Sequence, residues 1–122
     1  MTQTLLERLG GEEVILKMTH FLYVNVLRDE KLSPYFEGIN IERQTHKMYA
    51  FLTYLFSDQT SYKDGDLREA HKQLVKQGLN DSHVDAMLEC VCSTLKEMKI
   101  NNNIIGEVAQ KINLHRDEIL NR

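Results

Sequence analysis

Apolar residues recur along the chain at intervals of three and four, and no stretch of useful length alternates with period two. The pattern predicts an all-α protein without repeats or low-complexity tracts. A short helix is expected from about Thr4 to Leu9, closed by Gly10-Gly11, a pair suited to a tight corner with positive φ. A long helix follows over Glu12 to Arg28. It carries Val14, Ile15, Met18, Phe21 and Leu22 on one arc and Leu16, His20, Tyr23 and Leu27 on another, so it is expected to be sandwiched between partners. Pro34, the single proline, places a turn or one helical twist in "DEKLSPYF". The next helix runs from Ile41 to Phe56, and "SDQTSYKDGD" reads as a polar loop. Helices over Leu67 to Gln77, Ser82 to Met98 and Asn103 to Leu120 complete the chain, with Asp81 the expected N-cap of the second of these.

Two histidines interrupt apolar faces. In "LREAHKQLV", Leu67, Ala70, His71, Leu74 and Val75 share one buried stripe, while Arg68, Glu69, Lys72 and Gln73 take the other side. An imidazole there must satisfy its nitrogens by a hydrogen bond or a metal, and taken alone a satisfied core histidine is the plainer reading. His115 falls on an arc with Ile104, Val108, Ile112 and Ile119 and is expected to face inward; His20 and His83 carry weaker signals, and His83 is expected to be exposed.

"QTHKM" has a phase of its own. At about 100° per residue, Gln44, Met48, Phe51, Leu52 and Leu55 cluster on one face, His46 lies opposite, and Lys47 sits at the margin. Gln44 therefore brings a primary amide into an apolar face, where it needs partners. Lys47 has the stem to lie over the rim with its ammonium in water.

With 122 residues, the chain has the length of a single domain spanning residues 1–122. The net charge is -3, the pI is about 5.9, and Lys and Arg are dispersed among acids, which argues against nucleic acid as a partner. No run approaches the roughly 20 apolar residues of a membrane span, and "MTQTLLERLGG" lacks the pattern of a secretory leader, so a soluble cytoplasmic protein is expected. Cys90 and Cys92 diverge on a helix and are expected to be free thiols; no Cys-x-x-Cys-His for covalent c-type haem is present.

Taken together, "FLYVNVLRDE", "YFEGINIERQTHKMYAFLTYLF", "LREAHKQLV" and "LHRDEILNR" resemble the group I truncated haemoglobins, the two-over-two helical globins, over nearly the whole chain. The resemblance implies haem b as cofactor, with His71 as proximal iron ligand, a role that displaces the core-histidine reading. It implies Phe36 packing against the haem, Tyr23 as distal hydrogen-bond donor, and Gln44 and Met48 at two further distal positions. Phe51, Leu52 and Leu55 would complete the apolar wall, with Leu67 and Leu74 lining the pocket beside His71. Lys47 matches a position where some cyanobacterial and algal relatives place an internal residue that binds iron when no outside ligand is present. His115 matches a last-helix histidine that in cyanobacterial relatives bonds to a haem vinyl group.

A neutral imidazole is a good axial ligand and leaves one face of the iron open to a diatomic molecule. The chain departs from many relatives at Leu22, at Met48 where a glutamine is usual, and at Ser57-Asp58 where Gly-Gly is usual. Met48 cannot donate a hydrogen bond, so the distal network is thinner. The implied function is reversible binding of O2, NO or CO. Its use would be oxygen binding or transport, or NO dioxygenation sustained by an external electron-donating reductase, and a monomer is the default. The contrasting expectation is a haem-free helical regulatory module with His71 and His115 in its core.

Overall fold

The computed structural model describes residues 3–57 and 64–122. Among them the chain forms seven α-helices and one 3-10 turn, with no strand: α1 (Leu5–Leu9), α2 (Glu12–Arg28), the 3-10 turn (Ser33–Phe36), α3 (Ile41–Phe56), α4 (Asp64–Lys76), α5 (Asp81–Glu97), α6 (Asn102–Asn113) and α7 (Arg116–Ile119). Most of the polar loop expected after Phe56, Asp58 included, lies outside the described residues.

Short-range chemistry sets the boundaries. Thr4 caps α1 by accepting from the Glu7 backbone N–H at 3.1 Å. The helix then ends on Gly10 at φ 117°, where an added Cβ would lie 2.7 Å from Val14 Cγ2. Only glycine suits that corner. Asn40 and Asn101 cap α3 and α6 in the same way as Thr4.

Two helix pairs, α2 with α3 and α5 with α6, lie one over the other, with α2 packed on α5 and α3 on α6. Ile15, Met18, Leu22, Val26, Phe56, Leu95 and Val108 are fully buried between them. A polar link joins α2 to α5 within this core: Asn25 Nδ2 donates to Thr94 Oγ1 at 2.8 Å, and the Thr94 hydroxyl donates to the Cys90 carbonyl. The buried threonine is thereby satisfied without opening the layer. Cys90 and Cys92 are free. Burial, reinforced by Asp29 and Glu89, pushes the Cys90 thiol up from its ordinary pKa, so it stays protonated. No described helix is long and apolar enough to cross a membrane.

Several expectations are corrected. α2 packs between α3 and α5 as expected, but part of both predicted arcs stays outside: Leu16, Phe21, Val24 and Leu27 are each 38 to 50% exposed. Its outer arc is apolar and exposed among the described residues. Asn80 rather than Asp81 caps α5, because the Asn80 side chain accepts from the Ser82 N–H. His83 is half-buried rather than exposed: its Nδ1 accepts from the Asn80 N–H at 3.0 Å, and its ring stands edge-on to Tyr35 at 5.1 Å. The last helix is not continuous. α6 stops at Asn113, Leu114 is 75% exposed, and α7 restarts after His115.

α4 stands apart from the main core. Its principal neighbour is α7, and buried Leu67 does not join the cluster shared by the two helix pairs.

Candidate functional site

The inner edge of α2 and α3 brings three predicted residues together. Tyr23, 2% exposed, projects from α2 among Leu22, Val26 and Leu52 of the core cluster. Its oxygen accepts from Gln44 Nε2 at 3.1 Å. The half-buried amide on the apolar face of α3 thus finds its partner. Phe36, at the end of the 3-10 turn, stands edge-on to the phenol with ring centroids 5.6 Å apart at 74°. Ring and amide fix the orientation of Tyr23 from two sides.

Electrostatics follow from that placement. Burial pushes the Tyr23 phenol above its ordinary pKa, and the Gln44 hydrogen bond offsets this only in part. At neutral pH the group is therefore a neutral O–H. Because its oxygen already accepts from Gln44, its proton remains available as a donor. Met48 and Phe51 are half-buried and packed against the core, Leu52 and Leu55 are buried, and all four extend the apolar face beside Gln44.

His71 belongs to the other wall, on α4. Its Nδ1 lies 2.8 Å from the Leu67 carbonyl oxygen one turn earlier. A carbonyl only accepts, so Nδ1 carries the proton and Nε2 carries the lone pair. The imidazole is oriented and held in the tautomer that a metal ligand needs. Leu67 is buried, and His71 and Leu74 are half-buried. Among the described residues no hydrogen bond or ring contact joins His71 to Tyr23 or Gln44. The imidazole of α4 and the phenol–amide pair of α2 and α3 are thus built separately, one offering a nitrogen lone pair and the other a phenol proton.

The flanking candidates divide. His46 is exposed, as its helical phase predicts, and lines a shallow groove with Leu16, His20, Asn40, Glu42, Arg43 and Thr45. Lys47 is also exposed, at the edge of α3. His115 is half-buried, but by a route that periodicity did not predict: it occupies the break before α7. There its ring stands edge-on to Phe51 at 5.9 Å and 79°, and its Nδ1 lies 3.1 Å from Glu118 Oε1. Glu118 was not singled out from the sequence. Its one signal is the spacing of three between histidine and carboxylate in "HRDE", which brings side chains together on a helical turn.

α7 is fixed from outside. Arg116 bonds Asp81 at 3.0 Å and Asp85 at 2.6 Å, while Arg122 bonds Asp81 at 2.7 Å and Asp117 at 2.9 Å. The two guanidinium groups, Arg116 first, hold the Asp81 carboxyl below the usual carboxylate range. Asn121 Nδ2 donates to the Arg68 carbonyl at 3.0 Å, and Arg68 donates to the Arg122 carbonyl at 3.1 Å, tying α4 to the same assembly.

Among the described residues, no cluster of three or more His, Cys, Asp or Glu could hold a bare metal ion. The donor set suits instead a metal that arrives with most of its ligands: one imidazole oriented by a backbone carbonyl, apolar side chains in place of further ligands, and a neutral phenol–amide pair. The residues present fit an iron porphyrin.

Comparison with known proteins agrees with that geometry. The family described as bacterial-like globin matches residues 4–121. A group 1 truncated haemoglobin of Synechocystis is 37% identical over 98% of each chain. The crystal structure of the 2/2 haemoglobin of Synechococcus, in the cyanomet state and with covalently attached haem, superposes with a TM-score of 0.91. It is 32% identical and covers 98% of this chain and 100% of its own. The truncated haemoglobin of Tetrahymena pyriformis, in its Fe(III) form, superposes with a TM-score of 0.86 at 34% identity, over 97% of this chain and 98% of its own.

Proposed function

This chain belongs to the bacterial-like globins, among the group 1 truncated haemoglobins, and on that premise we propose that it holds haem b and reversibly binds diatomic gases. The observation that carries the proposal is the oriented imidazole of His71, whose Nδ1–H is engaged by the Leu67 carbonyl so that Nε2 is free to coordinate. When bound, the haem supplies an iron with one face open to O2, NO or CO.

The protein's own residues set what happens at that face. Tyr23 directs a phenol proton from a buried, neutral group, and Gln44 holds that phenol in place. A ligand that gains negative charge on binding is stabilised by such a donor, by about 1 to 3 kcal/mol per hydrogen bond, or roughly ten- to hundredfold in dissociation rate. Phe36, Met48, Phe51, Leu52, Leu55, Leu67 and Leu74 exclude water. Met48 adds no donor, so the distal polar set rests on two residues.

Two physiological uses fit this pocket: oxygen binding and delivery, and conversion of NO to nitrate with an external reductase restoring the ferrous iron. Lys47 is proposed as a displaceable sixth ligand. An ammonium has no lone pair, so the residue coordinates only after losing its proton. His115, edge-on to Phe51, is proposed as the site of covalent haem attachment.

The decisive experiment is purification with haem supplied. Wild-type protein is expected to show a Soret band that His71→Ala loses while its helical circular dichroism persists. A colourless wild type that folds equally well overturns the haem reading in favour of a helical regulatory module.

A further inference from the structure

His115 and Glu118 form a dyad that ligand binding does not require. Oε1 of Glu118 lies 3.1 Å from His115 Nδ1, and the two side chains are 22% and 19% exposed, His115 first. The other carboxylate oxygen, Oε2, is buried and has no hydrogen-bond partner among the described residues. A buried carboxylate with one orphaned oxygen is costly unless a positive charge beside it compensates. Arg116, the adjacent cation in sequence, is spent on Asp81 and Asp85. Among the described residues the side-chain partner of this carboxylate is the His115 imidazole.

We propose that Glu118 is the positioning residue that makes His115 Nε2 the nucleophile for bonding to a haem vinyl group, an inference that rests on His115 being the attachment site. A carboxylate accepts, so it holds the proton of the neutral imidazole on Nδ1 and leaves the lone pair on Nε2. In the bonding step Nε2 forms a bond to the vinyl α-carbon, the vinyl π bond breaks, and the β-carbon takes a proton from water. No electrons are gained or lost overall. The imidazole ends as a cation, with a proton on Nδ1 and carbon on Nε2, and Glu118 faces that charge. The orphaned oxygen thus favours the product over the neutral reactant. The dyad is built to stay in register: Glu118 lies within α7, His115 is its N-cap, and the Ile119 N–H donates to the His115 carbonyl at 3.0 Å.

Glu118→Gln separates orientation from charge, since the amide oxygen still accepts from Nδ1–H but carries no charge. The test uses the full chain loaded with haem b, reduced, and sampled over time by acid-butanone extraction and intact mass. Wild type is expected to accumulate the adduct, His115→Ala to form none, and Glu118→Gln to form it at least tenfold more slowly. Glu118→Asp is expected to recover part of the rate, a rescue that a space-filling role would not give. Haem uptake before attachment is measured for each protein, so that adduct formation is read per haem bound. Attachment in Glu118→Gln at the wild-type rate overturns the role of Glu118 alone. Complete extraction of haem from the wild type overturns the attachment reading together with it.

Discussion

The Tyr23 phenol is the one polar group that the core of α2 presents toward the proposed ligand, and its burial makes it sensitive to alkali. Its folded pKa is raised, so the unfolded chain ionises first, near pH 10. Stability from this residue is therefore intact below about pH 10 and declines as pH rises further. Tyr23→Phe is expected to flatten that alkaline decline in denaturant titrations, and to raise the O2 dissociation rate about tenfold or more in flash photolysis. Lys47 is expected to announce itself in the same pH direction: ferric wild type titrated from about pH 6 to 10 should develop a low-spin spectrum absent from Lys47→Ala. At this scale the sequence was informative. Helical phase alone separated Gln44 from His46, and the structure holds the first half-buried against Tyr23 while leaving the second in water. Glu118 was not legible, because its significance depends on a break in the helix that brings His115 around to meet it.

At the scale of elements, local patterns placed α2 at about Glu12 to Arg28 and α3 from near Ile41 to about Phe56, and the structure has them there. The break at Leu114 and His115 contains neither glycine nor proline. Beyond it, Arg116 and Arg122 reach back to α5: Arg116 pairs with Asp81 and Asp85, and Arg122 with Asp81. Asp81→Asn is accordingly expected to loosen α7, with faster proteolysis near residue 115 and little change in the global melting temperature, since these charges are exposed. Raised salt should mimic it. The uncovered outer arc of α2 escaped prediction for a related reason, since periodicity identifies an apolar arc but not what lies over it. Gly10→Ala, at a left-handed corner with Val14 Cγ2 in the way, is expected to cost about 1 to 2 kcal/mol or more in chemical denaturation.

For the molecule as a whole, haem uptake and folding are linked, because a group that binds only the folded chain stabilises it. At about a thousandfold excess over its dissociation constant the gain is near 4 kcal/mol. Calorimetry with and without haem is expected to show a large upward shift of the transition, lost in His71→Ala. That shift will be unevenly distributed. α2 and α5 are clasped by the main core, whereas α4 rests chiefly on α7 and on the polar ties of Arg68 and Asn121. The helix that carries the proposed iron ligand thus packs, among the described residues, chiefly on one short helix rather than on the main core. Backbone amides should record this as a sequence in time: those of α4 exchange with solvent first once haem is withdrawn, and those of α2 and α5 last. Loss of the cofactor would then begin as a local opening of one wall, from which the chain can close again without refolding its core.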